Sequence, residues 1–245
     1  MLVAFLLPPL SQEVVKLHIP DGFLDPKTWG TLSVASAGTT GYALYKVREK
    51  MDEKMIPLLG ITAAFIFAAQ MLNFPVAGGT SGHFLGAILA CVLLGAWPGF
   101  LVMVVVLLVQ CLFFADGGLT TLGANIFNMA VIGGLLSYYL LVLARKPLSK
   151  AIGEKSSLLV ATAFFSWLSV VLASSACAFE LAISGTVPLS TVLPAMIGVH
   201  TIIGIGEATV TTVVVAVVLQ ARPDLVDAYE GSAALPVPIG GEEVA

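Results

Sequence analysis

The sequence predicts an all-α integral membrane protein, about seven transmembrane helices in one bundle, with the N-terminus outside and the C-terminus cytoplasmic. Three observations predict it. The 245 residues are 58% hydrophobic and only 11% charged, where a soluble domain carries about 25% charged residues. Apolar runs near the ~20 residues needed to cross a hydrocarbon core recur along the whole chain. The basic residues fall in alternate connections between those runs, as cytoplasmic loops require.

Taken in order, residues 1–16 read as an N-terminal extension. Leu2–Leu7 is apolar but too short to span. Pro8 and Pro9 break a helix, and neither a basic n-region nor a small-residue cleavage site is there. Residues 17–221 form the membrane domain. Its first span, Trp29–Val47, is rich in Gly, Ala, Ser and Thr, which suits close helix packing in lipid. Spans follow at Pro57–Phe74, Phe84–Ala96, Phe100–Ala115 and Leu119–Ala144, the last interrupted by Gly123, Asn125 and Asn128. The sixth is Leu158–Ser184. The seventh, Leu189–Leu219, is long enough to tilt or to bend at Pro194 or the Gly204/Gly206 pair. Residues 222–245, with their Pro, Gly and acids, read as a flexible tail.

Of the 11 basic residues, Lys46, Arg48, Lys50, Lys54, Arg145, Lys146, Lys150, Lys155 and Arg222 fall on one side of a seven-span layout. Only Lys16 and Lys27 fall on the other. The side with nine is the cytoplasm by the positive-inside rule. The net charge of −4 offers no basic surface to a nucleic acid. Cys91, Cys111 and Cys177 stand in apolar runs and read as small buried hydrophobes.

Two stretches depart from plain membrane sequence. Asn73–Ala87 is a Gly-rich break holding His83, and Leu17–Leu24 carries His18 before Pro20-Asp21-Gly22. The predicted layout puts both histidines on the outer face. A chain starting at residue 17, through a leucine codon read as methionine, would make His18 the second residue. The free amine of Leu17, the main-chain nitrogen of His18 and its imidazole would then chelate one ion in fused rings and leave a corner for His83. That donor set suits square-planar Ni(II), Cu(II) or a similar cobalt site. Thr80 and Ser81 could orient the His83 ring, as outer-shell partners of metal ligands do.

His200, Gly204 and Glu207 recur on one helix face of the last span. Ionisable groups cost about 2.5–3.5 kcal/mol at a bilayer centre. They are therefore expected to face the interior, either paired with each other or with Glu180, Asn125 or Asn128, or lining a path for the metal. Asp116 and Glu180, near the outer ends of their spans, could attract cations. No Gly-x-x-x-x-Gly-Lys-Ser/Thr loop is present, so ATP would have to act through another subunit.

His18-Ile19-Pro20-Asp21-Gly22, Asn73-Phe74-Pro75 through Gly82-His83, and His200 through Gly204-Ile205-Gly206-Glu207-Ala208 together resemble the CbiM/NikM family. These are the substrate-binding membrane components of energy-coupling-factor cobalt and nickel importers. The resemblance covers roughly Leu17–Leu219. It implies a seven-helix fold in a prokaryotic cell membrane, with no enzymatic activity of its own. It implies Ni2+ or Co2+ as the transported substrate, held by the N-terminal amine, the main-chain nitrogen and side chain of His18, and the His83 side chain. It also implies partners: a transmembrane coupling protein, two ATPase subunits and a small accessory membrane protein. Two other readings remain beside it. One is a cation-coupled secondary carrier using Glu207. The other is a rhomboid-type intramembrane protease, with Ser81 in Gly79-Thr80-Ser81-Gly82 as nucleophile and His200 as base.

Overall fold

The computed structural model describes residues 18–48, 55–71, 74–76 and 80–229, with the main chain alone at 74–76 and 80–82. Among the described residues, the regular structure is helical apart from one small ribbon. Helix α1 (Pro26–Arg48) starts at Asp25, whose Oδ1 accepts the N–H groups of Lys27 (2.9 Å) and Thr28 (3.2 Å). An aspartate cap followed by proline at the first helical position satisfies donors that the helix leaves open. Helix α2 (Met55–Gln70) leads to the antiparallel strands β1 (Phe74–Val76) and β2 (Thr80–Gly82), with Phe74 opposite Gly82. Then come α3 (Ala87–Leu94) and α4 (Ala96–Phe114). Helix α5 (Leu122–Ile126) runs without a break through a π-helical stretch, Phe127–Leu136, into α6 (Ser137–Ile152). Helices α7 (Glu154–Ile183) and α8 (Leu189–Ala221) complete the bundle.

Among the described residues, four rods are long and apolar enough to cross a membrane: Ala96–Phe114, Leu122–Ile152, Glu154–Ile183 and Leu189–Ala221. Helix α2 is apolar but has only 16 residues. Helix α1 has 23, yet its small and polar side chains dilute its hydropathy. Large apolar side chains such as Ile61, Phe113, Ile183, Ile202 and Val217 project outward. This is the surface a lipid-facing bundle presents.

Within the expected span Phe84–Ala96, helix α3 is shorter than a full crossing. It has eight residues and rises only about 12 Å, under half of a ~30 Å hydrocarbon core. All eight residues are buried, and α3 packs against α2, α4, the π-helical stretch, α6, α7 and α8. It is the centre of the core, fed by the non-helical residues Phe84–Gly86. Apolar composition alone does not separate such a helix from a lipid-facing span.

The expected flexible tail also needs correction over its first eight residues. After α8 the chain makes a 3-10 turn, Pro223–Leu225, and docks under α3. Asp227 N–H donates to Leu93 O (3.2 Å) and Ala228 N–H to Val92 O (3.1 Å). These bonds satisfy carbonyls that the end of α3 would otherwise leave open. Val226 is fully buried there. Arg145 of α6 donates to Ala228 O and pairs with Glu154 at 2.7 Å. Residues 1–17 and 230–245 lie outside the described residues.

Candidate metal centre

The site is built from an arm, residues 18–24, laid across the connection between α4 and α5. Asn125 of α5 clasps the arm from both sides. Its Oδ1 accepts the Ile19 N–H (2.8 Å) and its Nδ2 donates to Ile19 O (3.2 Å). Gly118 N–H (2.9 Å) and the Thr121 hydroxyl (2.5 Å) donate to the same carbonyl. The Asp21 carboxylate accepts the N–H groups of Leu119 (3.0 Å) and Thr120 (2.7 Å) and the Thr120 hydroxyl. These bonds, led by the Thr120 hydroxyl, hold its carboxyl below the usual 3.8. The Thr186 hydroxyl donates to Phe23 O. The Ile19 side chain packs with Leu24, Ala124, Cys177, Leu181 and Met196. Gly118 permits the close approach: a Cβ there would lie 2.3 Å from the Asp21 nitrogen.

His83 follows β2, at the head of the non-helical stretch that feeds α3. Backbone without helix or sheet bonds is tolerated at membrane depth only where protein groups satisfy it; two buried side chains do so here, and a third braces one of them. Gln70, the last residue of α2, donates to Leu85 O (2.6 Å). Gln110 of α4 donates to Gln70 Oε1 (2.8 Å). Glu207 of α8 accepts the Leu85 N–H on Oε2 (2.7 Å) and the Gly86 N–H on Oε1 (2.8 Å). Gly86 makes the turn into α3 at φ 77°, where a Cβ would meet Ile66 and the Phe84 ring at 2.9 Å.

These two constructions bring His18 and His83 together, 65 residues apart in sequence. Their ring centroids are 4.7 Å apart and the planes 35° from parallel. His18 is 1% exposed and His83 2%. The His83 Nδ1–H donates to Phe84 O (2.7 Å), which leaves its Nε2 as a bare acceptor with no protein partner. Neither ring nitrogen of His18 has a hydrogen-bond partner, and Asp116 Oδ2 stands 3.2 Å from its Nδ1. Buried polar atoms without partners are costly and uncommon. Two neighbouring imidazoles with unused lone pairs beside a carboxylate form a donor set that suits a borderline-soft cation.

The remaining candidates are placed as follows. His200 is fully buried in α8; its Nδ1–H donates to Met196 O (2.7 Å), and its Nε2 has no partner. Glu207 spends both oxygens on Leu85 and Gly86. Glu180 accepts a bond from Asn128 Nδ2 (2.8 Å), so these two pair with each other, where the sequence predicts them as partners for His200 and Glu207. Leu17, and the side chains of Thr80 and Ser81, lie outside the described residues. Among the described residues, no three His, Cys, Asp or Glu side chains converge as a metal group. The described side chains bring two imidazoles. Sequence reasoning missed Gln70, Gln110, Thr121 and Gly118. The signal for the two glutamines was present: a neutral amide inside an apolar span needs a partner.

Comparison with known proteins places the whole described bundle in one family. The family model described as "Cobalt uptake substrate-specific transmembrane region" matches residues 18–225. A putative fused nickel transport protein of Archaeoglobus fulgidus is 42% identical over 225 residues, which cover 90% of this chain and 72% of that relative. A putative metal transport protein of Haloquadratum walsbyi is 40% identical over 212 residues, 86% of this chain and 93% of the relative. The crystal structure of a truncated transition metal transporter superposes with a TM-score of 0.74 at 32% identity, covering 83% of this chain and 99% of that one. With the match running from the first histidine of the arm past the end of α8, the chain belongs to the CbiM family of cobalt-uptake substrate-specific membrane proteins.

Proposed function

We propose that this chain is the metal-capturing membrane subunit of an ATP-driven importer, taking Ni2+ or Co2+ from the outer face. One observation carries the reading: the buried, neighbouring rings of His18 and His83, each with an Nε2 that no protein group satisfies. The relatives' names, which specify cobalt, nickel or metal transport, support the choice of ion. The bundle crosses the membrane seven times, the third crossing being α3 and the non-helical residues before it. The arm lies outside, and the basic residues at the end of α1 (Lys46, Arg48), those around the α6–α7 corner (Arg145, Lys146, Lys150, Lys155) and Arg222 lie in the cytoplasm.

His83 offers Nε2, its tautomer set by the bond from Nδ1 to Phe84 O. His18 offers Nδ1, the ring nitrogen able to close a chelate ring with the residue's own main-chain nitrogen. The amine of residue 17 completes four nitrogens when the working chain starts there, and intact-mass measurement of the N-terminus tests that part. Asp116, beside His18 Nδ1, draws the cation in before the imidazoles take it. His200 lies two helical turns on the arm side of Glu207, about 10 Å along α8, and its unpartnered Nε2 is the next donor on the way inward. A transmembrane coupling protein, two ATPase subunits and a small accessory membrane protein supply the energy and the release step.

Titration calorimetry of NiCl2 and CoCl2 into the purified protein tests the binding role. His83→Ala should abolish binding while the protein stays monodisperse in detergent. Wild-type affinity in that variant would refute the assignment. Metal uptake into vesicles that needs ATP and the partner subunits tests the coupling. Uptake by this chain alone, driven by an ion gradient, would favour a secondary carrier.

A further inference from the structure

His83 is a ligand without a rigid element of its own. It stands at the head of residues 83–86, which belong to neither helix nor strand. Such a segment would sample many ring positions, and a metal site needs its ligands held to within about 0.5 Å. The restraint comes from the two residues that follow. Leu85 is gripped at both its carbonyl, by Gln70, and its N–H, by Glu207; Gly86 is gripped at its N–H by the second oxygen of Glu207. Gln110 in turn holds Gln70.

Two oxygens meet two adjacent main-chain N–H groups at 2.7 and 2.8 Å, and hydrogen bonds to an ionised acceptor are the strong ones. Residue 86 is also the cap of α3. One side chain of α8 thereby fixes the main chain at the entry to α3, the stretch from which the metal ligand hangs. The anchor itself is firm, because α8 is continuous from Leu189 to Ala221 and Glu207 is 2% exposed.

We propose that Glu207 is the positioning residue of the metal site. It does not touch the ion; it holds Leu85 and Gly86 so that His83 Nε2 meets His18 in a fixed geometry. The proposal rests on the reading of His18 and His83 as ligands. Glu207→Gln puts an amide –NH2 against a backbone N–H, so one of the two bonds becomes a donor–donor clash while size and packing are kept. Partners that orient metal ligands from behind cost about 10–100-fold in affinity when lost.

The test is titration of the full chain in detergent with NiCl2 and CoCl2, followed by calorimetry and by the ligand-field absorption of bound Co2+. Glu207→Gln is expected to bind at least tenfold more weakly, with a shifted cobalt band. Glu207→Asp, which keeps both acceptor oxygens, should recover part of the affinity and move the band back. A purely structural glutamate would leave the band of the folded, loaded fraction unchanged. If Glu207→Gln is not monodisperse, Glu207→Asp decides by the same two readouts. Wild-type affinity and spectrum in these variants, with His83→Ala abolishing binding, would overturn the proposal and leave the ligand assignment intact. Normal binding by His83→Ala would bring down both.

Discussion

Gly118→Ala is the sharpest test of how the arm is held. The Cβ would stand 2.3 Å from the Asp21 main-chain nitrogen, 2.4 Å from its Oδ1 and 2.6 Å from the Thr121 hydroxyl oxygen. Ordinary carbon contacts begin near 3.5 Å. The arm must therefore lift by roughly 1 Å, because the closest atom is backbone and cannot rotate away. Lifting it strains the Gly118 N–H bond to Ile19 O and both bonds from Asn125, with overpacking of this kind costing about 1–3 kcal/mol. His18 lies three residues from Asp21 and moves with it, whereas His83 is held from α2 and α8 and stays. A ~1 Å offset exceeds the ~0.2 Å tolerance of metal–ligand distances. At ~1.4 kcal/mol per factor of ten, 1–3 kcal/mol taken from the docked arm corresponds to about 5–150-fold in nickel affinity. Calorimetry on Gly118→Ala measures it, with Gly30→Ala as the control, since a Cβ at Gly30 meets nothing within 4 Å. Wild-type affinity in Gly118→Ala would show that the arm's seat does not set the site.

Other outcomes follow from the same geometry. His200→Ala should leave outer-face affinity within about threefold of wild type yet stop ATP-driven uptake into vesicles; unchanged uptake would remove His200 from the path. Asp21→Asn tests the arm through pH. Because the folded carboxyl is held below its ordinary value, its contribution is present above 3.8 and fades as the pH falls through the folded pKa. The difference in thermal stability between wild type and Asp21→Asn should thus vanish in strong acid; a difference independent of pH would contradict it. Arg145→Met removes the donor to Ala228 O and Glu154 and should lower thermal stability while metal affinity holds. A matching loss of affinity would mean that the strap beneath α3 reaches the metal centre.

Much of this protein was legible in its sequence because membrane helices and metal ligands leave simple marks. The long rods follow from apolar runs. His18 and His83 stood out because histidine is scarce here and each is flanked by Gly and Pro breaks. Other features were not legible, each for a physical reason. The eight residues of α3 are as apolar as a span, and only the bends at Gly86 and Gly95 and their burial show that they form a core helix. The π-helical turns over Phe127–Leu136, packed between α4, α7 and α3, carry no local pattern that marks them off from α-helix. Val226 and Ala228 lie in a polar, proline-containing stretch, yet their burial depends on open carbonyls at the end of a helix over 130 residues earlier. Glu207 looked like part of a polar helix face with His200. Its partner proved to be main-chain N–H groups, and backbone donors carry no side-chain signature.

The central claim is that one metal ion is shared by two imidazoles from distant parts of the chain. X-ray absorption at the nickel edge of the loaded protein tests it most directly. The account predicts nitrogen and oxygen donors alone, with the multiple scattering of two imidazole rings that falls to one ring in either His18→Ala or His83→Ala wherever loading persists. A sulfur donor, or a nickel environment unchanged by both substitutions, would contradict it.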